Sequence, residues 1–126
     1  MRLVERGYVE STAGIAGGPK AFNDLESRLA TLKGRKFYGT FHYPHGPYRA
    51  CVALQEDDDA GSLGLATWVI PGGKCARKKL NNWSERPQRI GEDFAILAEQ
   101  NDVDPRRPSI EFYRSHREVI LLLPIR

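Results

Sequence analysis

Glu111 is an acidic residue in a segment that otherwise has the composition of a buried strand, because its sequence neighbours are isoleucine and phenylalanine. A carboxylate in an apolar environment is costly unless it is paired, and a positively charged ligand would supply that partner. Burial would also raise the pKa of the carboxyl and fit it to donate or accept a proton. The residue therefore indicates cation recognition or acid–base chemistry. The alternative is a solvated acid paired with Arg114 or Lys36.

Several aromatic residues are candidates for the wall of a binding cleft around this acid, namely Tyr38, Tyr48, Trp68, Trp83 and Tyr113. Aromatic walls with one acid suit a flat cation, because ring faces attract positive charge and stack on planar molecules. Core packing is the alternative for all of them, and for Trp68 the two interpretations are equally supported. Trp83 follows two asparagines, which favours a position at the surface or at the rim of the cleft.

The other residues with reactive or metal-binding side chains form no recognisable site. His42 and His45 stand three apart without a third ligand nearby, so no metal site is expected. No nucleophile elbow, phosphate loop or triad spacing occurs, and no cofactor is expected. Cys51 and Cys75 both lie in apolar, strand-like segments, and we predict that they are buried, free thiols.

Length and charge limit the class of protein. The chain of 126 residues suits one domain, and it has neither a signal peptide nor an apolar run that could span a membrane. We therefore expect a cytoplasmic protein, either a monomer or a homodimer. The net charge of +3 comes from scattered basic residues without a DNA-binding motif, so direct nucleic-acid binding is not expected.

The hydrophobic pattern predicts two helices, near 19–33 and 86–101, each with one apolar face. Strands are predicted on each side of the Pro-Gly-Gly at 71–73 and at about 36–42, 48–54, 109–114 and 118–124. The order strand, helix, strand, strand occurs twice along the chain. This order predicts an α+β fold, with an antiparallel sheet and both helices on one of its faces.

Short matches in the same order indicate an internal duplication, with repeat one at about 8–55 and repeat two at about 63–126. The matched segments are IAGG at 15–18 with IPGG at 70–73, Phe22-x-x-Leu25 with Phe94-x-x-Leu97, and FYGTFH at 37–42 with FYRSH at 112–116. The last match aligns Lys36 with Glu111 and Tyr38 with Tyr113.

Strand alternation then assigns Glu111 to a face of the sheet. Ile110 and Phe112 point to one face, and Glu111 and Tyr113 point to the other. The first pair suits packing beneath the helices. We therefore predict that Glu111 and Tyr113 face away from the helices, into a ligand cleft on the opposite side of the sheet.

Three segments resemble the GyrI-like small-molecule-binding domain, which is also the effector-binding domain of AraC-type and MerR-type multidrug regulators: KFYGTFHYPHGPYRACVAL, WVIPGGKCA and RPSIEFYRSHREVILLLPI. The resemblance covers roughly 10–126 and implies a tandem strand-helix-strand-strand repeat. It also implies a cleft between the repeats for bulky, often cationic aromatic compounds, in which an acid on the late strand, here Glu111, meets the positive charge. Cys75 replaces the aromatic residue usual after the Gly-Gly turn, which would widen or reshape the cleft.

The resemblance implies a stand-alone protein that senses or sequesters amphipathic, cationic aromatic molecules, since no DNA-binding segment precedes the domain. One alternative is a hydrolase of cyclopropane-bearing alkylating natural products, in which Glu111 and Tyr113 share the general acid and base roles. A further alternative is inhibition of DNA gyrase by protein interaction, because some proteins of this kind act in that way.

Overall fold

The structure is a computed structural model that describes residues 5–11, 14–42 and 46–126. Within these residues the chain folds as α+β, with a seven-stranded sheet in which every pairing is antiparallel. The strands are β1 (Glu5–Glu10), β2 (Phe37–Phe41), β3 (Tyr48–Ala53), β4 (Ala66–Val69), β5 (Cys75–Asn81), β6 (Ser109–Tyr113) and β7 (Glu118–Pro124). The helices are α1 (Gly18–Ser27), α2 (Ala60–Leu63) and α3 (Gln88–Gln100), with 3₁₀ turns at Gly14–Gly17 and Trp83–Glu85.

The two predicted helices are present, but α1 is shorter than its sequence pattern. Its apolar face buries Ala21 and Leu25, and the helix ends at Ser27 instead of near residue 33. Leu32 continues the helical spacing but is 44% exposed, so a longer helix would have nothing to pack against there. The other predicted helix, α3, lies within one or two residues of its expected bounds.

Both α1 and α3 pack on the same face of the sheet, as the sequence predicts. A cluster beneath α1 includes Ala50 of β3, and a cluster beneath α3 includes Leu121 of β7. These two residues are linked by register across the central strands, from Ala50 to Gly39, then to Glu111 and then to Leu121. Residues in register share a face, so the two clusters lie on one side of the sheet.

The strand order is mirrored about the pair formed by β2 and β6, because β3 and β1 follow on one side and β7 and β5 on the other. Gly39 and Glu111 are partners at the middle of these strands, so Gly39 holds the place in β2 that Glu111 holds in β6. Leu25 and Leu97 precede these two residues by the same interval. The alignment of Lys36 with Glu111 is therefore wrong by three residues.

The match between the two Gly-Gly segments is also wrong. Residues 15–18 lead from β1 into α1, whereas residues 70–73 lead from β4 into β5. The two segments precede different elements, and glycine pairs recur wherever a chain turns tightly.

None of the helices in the described part of the chain has the length and apolar content to cross a membrane.

Candidate functional site

Glu111 faces the helices, so the predicted orientation of β6 is wrong. Glu111 is in register with Leu121, which packs in the core beneath α3. Phe112 stacks on Tyr38 on the opposite face of the sheet. Alternation correctly predicted which residues share a face, but not which face the helices cover. Ile110 is 9% exposed and Glu111 is 8% exposed, so both faces of β6 are buried and the sequence pattern cannot distinguish them.

Two tyrosine hydroxyl groups donate hydrogen bonds to the same carboxylate oxygen of Glu111. The distances to Oε1 are 2.7 Å from Tyr48 Oη and 2.6 Å from Tyr113 Oη. Tyr48 begins β3, while Tyr113 lies two residues beyond Glu111 on the same face of β6. Gly39 makes this arrangement possible, because a Cβ atom at residue 39 would overlap with Tyr48 Oη and Glu111 Oε1.

Burial raises the pKa of the Glu111 carboxyl, and the two phenol hydrogen bonds oppose that rise. Among the described residues, no basic side chain forms an ion pair with this carboxyl. Burial and the nearby carboxylate also raise the pKa of the Tyr48 and Tyr113 phenols, so both remain neutral donors at physiological pH. The site is therefore a buried acid that is hydrogen-bonded but not neutralised by a cation.

Aromatic rings enclose this acid on the helix side. Phe22 of α1 makes edge-to-face contacts with Tyr48 and Tyr113, at centroid distances of 6.4 Å and 5.4 Å. Trp83 contacts Tyr113 at 4.9 Å, and its indole nitrogen donates to the carbonyl of Ser115 at 2.9 Å. Phe22 is not among the predicted site residues. Its place in the Phe-x-x-Leu match was the available signal.

Two of the predicted aromatic residues, Tyr38 and Trp68, lie on the opposite face of the sheet and do not join the site. Tyr38 stacks on Phe112 with a centroid distance of 4.9 Å. Trp68 packs edge-on against Tyr8 at 6.1 Å. The match with Tyr113 placed Tyr38 on the predicted cleft face, which the structure shows to be the face away from Glu111, and Trp68 was a candidate by residue type alone.

The cysteines and histidines take no part in the Glu111 site. Cys51 is buried and its pKa is raised to about 11 by burial, whereas Cys75 is only half-buried and not fully buried as predicted. Both are free thiols. His42 lies 3.2 Å from the carbonyl oxygen of Arg106, and His45 lies outside the described residues. Among the described residues, no group of three potential metal-binding side chains occurs.

Surface grooves of about 360 Å³ and about 250 Å³ lie beside the sheet, and Glu111 lines neither of these two. Rings of Phe22 and Trp83 flank Tyr113 on the helix side, and the acid beneath is nearly inaccessible to solvent. A bulky ligand would therefore reach the carboxyl only after one of these rings moves.

Comparison with known proteins defines the fold and nothing finer. The chain is similar to the integron cassette protein VCH_CASS2 from the mobile metagenome of Vibrio cholerae, with a TM-score of 0.64 and 14% sequence identity. The similarity covers 100% of this chain and 92% of that protein. No family model and no curated protein matches the sequence.

Proposed function

We propose that the protein binds amphipathic, cationic aromatic small molecules between its helices and the sheet, with Glu111 as the group that recognises positive charge. The observation that carries this proposal is a buried carboxyl that has two phenol donors and no cation among the described residues. The resemblance of the sequence to GyrI-like domains supports the same ligand class. Sensing and sequestration both fit such a site.

A cationic ligand would supply the positively charged partner that Glu111 lacks among the described residues. A cation would offset the cost of a buried carboxylate, while Phe22, Tyr113 and Trp83 supply ring surfaces for the aromatic part. In the free protein, burial raises the pKa of the Glu111 carboxyl, so at a given pH more of it is protonated than in a solvated glutamate. Binding of a permanent cation therefore releases a proton, and affinity should increase as the pH rises through the pKa of the free protein.

The test is titration calorimetry with a planar quaternary cation and with a neutral molecule of the same shape, applied to the protein and to Glu111→Gln. Loss of a charged hydrogen bond or desolvated ion pair should weaken cation binding by roughly 1.5–3 kcal/mol. The neutral molecule should be far less affected, because the rings remain. Equal losses for the two molecules would remove Glu111 as the charge-recognising residue.

Two controls make this measurement specific. Glu99→Gln removes the same charge from the exposed side of α3 and should leave binding unchanged.

The second control uses the two tryptophans of the chain, because Trp83 lies beside Tyr113 and Trp68 lies on the opposite face of the sheet. Fluorescence quenching by the cation should therefore disappear in Trp83→Phe and persist in Trp68→Phe. The reverse result would place the ligand on the other side of the sheet.

The hydrolase alternative would use the same two residues, Glu111 and Tyr113, in general acid and base roles. The pKa of Tyr113 is raised by burial, so its phenol is a hydrogen-bond donor and not a general base at neutral pH. Tyr113 would therefore act as a general acid or hydrogen-bond donor in a hydrolase, and binding remains the leading proposal because the buried acid has no cation partner among the described residues. Inhibition of gyrase stays a prediction from the resemblance, and no feature of the Glu111 site bears on it.

A further inference from the structure

The face of the sheet opposite the helices carries the larger of the two grooves, with a volume of about 360 Å³. Its lining residues are Arg35, Lys36, Phe112, Tyr113, Arg114 and Ile120. Phe112 and Ile120 are register partners on this face, whereas the ring of Tyr113 lies on the helix face. We propose that this groove is a second binding site, for a flat aromatic ring that bears a phosphate or a carboxylate. Its preferred ligand charge is opposite to that of the Glu111 site.

Ring stacking along this face supports the aromatic part of the ligand. Tyr38 and Phe112 are stacked, with ring centroids 4.9 Å apart and ring planes inclined by 15°. The guanidinium carbon of Arg6 lies 4.6 Å from the centroid of the Tyr38 ring. Arg6 lies in β1, two strands from β2, and Phe112 lies in β6, which is the neighbour of β2 on its other side. Tyr38 is therefore already covered, whereas Phe112 lines the open groove and offers its ring to a further planar group.

Charge supports the anionic part of the ligand. Lys36 is exposed, and it forms no ion pair with any residue in the described ranges. Arg114 lies 3.4 Å from Glu118, but the same carboxylate also pairs with Lys79 at 2.5 Å, so one acid faces two bases. Arg35 is neutralised by Asp58. Lys36 and Arg114 therefore leave excess positive charge beside the ring of Phe112, which favours an anion.

Lys36 also lines the second groove, of about 250 Å³, together with Arg6, Tyr38 and Gln55. The two grooves meet at this side chain. An anion held by Lys36 can therefore have its ring on Phe112 while a substituent extends towards Tyr38. This arrangement favours ligands of about the size of a mononucleotide over a small inorganic ion.

The binding experiment uses four probes at low ionic strength with the full chain. Adenosine 5′-monophosphate and naphthalene-2-carboxylate are the aromatic anions, adenosine is the neutral ring, and inorganic phosphate is the anion without a ring. We expect the aromatic anions to bind at least about tenfold more tightly than either partial probe, since stacking and charge both contribute. Comparison of the two aromatic anions shows whether phosphate or carboxylate is preferred. Equal binding of phosphate and of the aromatic anions would overturn the proposal, as would no binding at millimolar concentration.

Amide NMR spectra locate the probe. Shifts should concentrate at residues 36 and 112–114, and shifts centred on Phe22 and Trp83 would overturn the location. Lys36→Gln should weaken the aromatic anions about three- to tenfold, with less effect at high salt. The matched control is Lys20→Gln, which removes the same charge from the exposed side of α1 and should have no effect. A fold-neutral Lys36→Gln that binds like the unaltered protein would refute the assignment of the anion to Lys36.

Discussion

Glu111 and Phe112 are adjacent in β6 but lie on opposite faces of the sheet. The two faces differ in the partners that surround their charged side chains. On the face away from the helices, guanidinium groups rest on rings: Arg6 on Tyr38 at 4.6 Å, and Arg49 on Tyr8 at 4.6 Å and on Trp68 at 4.7 Å. On the helix face, Glu111 is buried among rings with phenol donors and without a cation among the described residues.

These charged groups of the outer face have aromatic partners in the folded protein, whereas Glu111 has hydrogen-bond donors but no counterion among the described residues. The arginines of the outer face keep part of each side chain in solvent and use their aromatic neighbours as partners. Glu111 is nearly inaccessible to solvent and has no counterion in the described part of the chain, and two phenol hydrogen bonds oppose the rise in its pKa that burial causes. A buried acid in this condition reduces the stability of the free protein, which is typical of residues kept for binding or catalysis.

The largest expected effect on stability is that of Gly39→Ala, which tests whether the helix-face site is tightly packed. The added methyl group would overlap with the oxygens of Tyr48 and Glu111, which lie against Gly39. Overpacking together with loss of these hydrogen bonds should lower the free energy of unfolding by about 3 kcal/mol. Chemical denaturation measures this change.

The matched control is Gly91→Ala in α3. Gly91 lies within a helix, and a Cβ atom there would meet nothing within 4 Å. This substitution should raise stability by about 0.5–1 kcal/mol, because alanine favours the helix. If the two substitutions have the same small effect, the contact of Gly39 with the acid is not a tight one.

The pH dependence of stability distinguishes Glu111 from the satisfied charges of the other face. Its pKa in the folded protein is raised above the unfolded value by burial. The stability that it contributes is therefore fully present below the unfolded pKa, and it is lost as the pH rises through the folded pKa. Relative to Glu111→Gln, the unaltered protein should lose stability over this window in thermal melts.

Subtraction of the Glu111→Gln curve removes the other titrating groups, several of which have lowered pKa values and change stability in the opposite sense. Asp104 is an example, since its hydrogen bonds with Arg106 hold the pKa of that carboxyl well below its usual value. A difference curve that is flat or that rises with pH would show that Glu111 is ionised and well solvated in the folded protein.

The smallest expected effect is that of Arg49→Met on the outer face. The arginine contacts two rings, but its Nε atom is buried without a hydrogen-bond partner among the described residues. Loss of the cation–π contacts is partly offset by removal of that nitrogen and by contacts of the methionine sulfur with the rings. The net loss of stability should be below about 1 kcal/mol by denaturation. A loss above about 2 kcal/mol would show that Arg49 is as tightly held as the helix-face site.

Most of the fold was predictable because hydrophobic spacing and turn residues act locally. The helical spacing of apolar residues predicted two helices, although it extended α1 beyond its observed end at Ser27, and the antiparallel pairs followed from short strands with turn-rich connections. Within the site, Glu111, Tyr113, Tyr48 and Trp83 were selected correctly as neighbours. Their selection needed only residue type and the uneven placement of one acid in an apolar strand.

The face of the sheet that carries the site was decided by tertiary packing. Both faces of β6 are buried, one beneath helices and one beneath arginines and rings, so alternation alone fits either choice. The partnership of Gly39 with Glu111 likewise depends on the register between β2 and β6, which short sequence matches placed three residues away. The sequence by itself determined the elements and the presence of an unusual acid. Only the packing of α1 and α3 decided that this acid lies beneath the helices, because long-range burial and strand register are not encoded within any single segment.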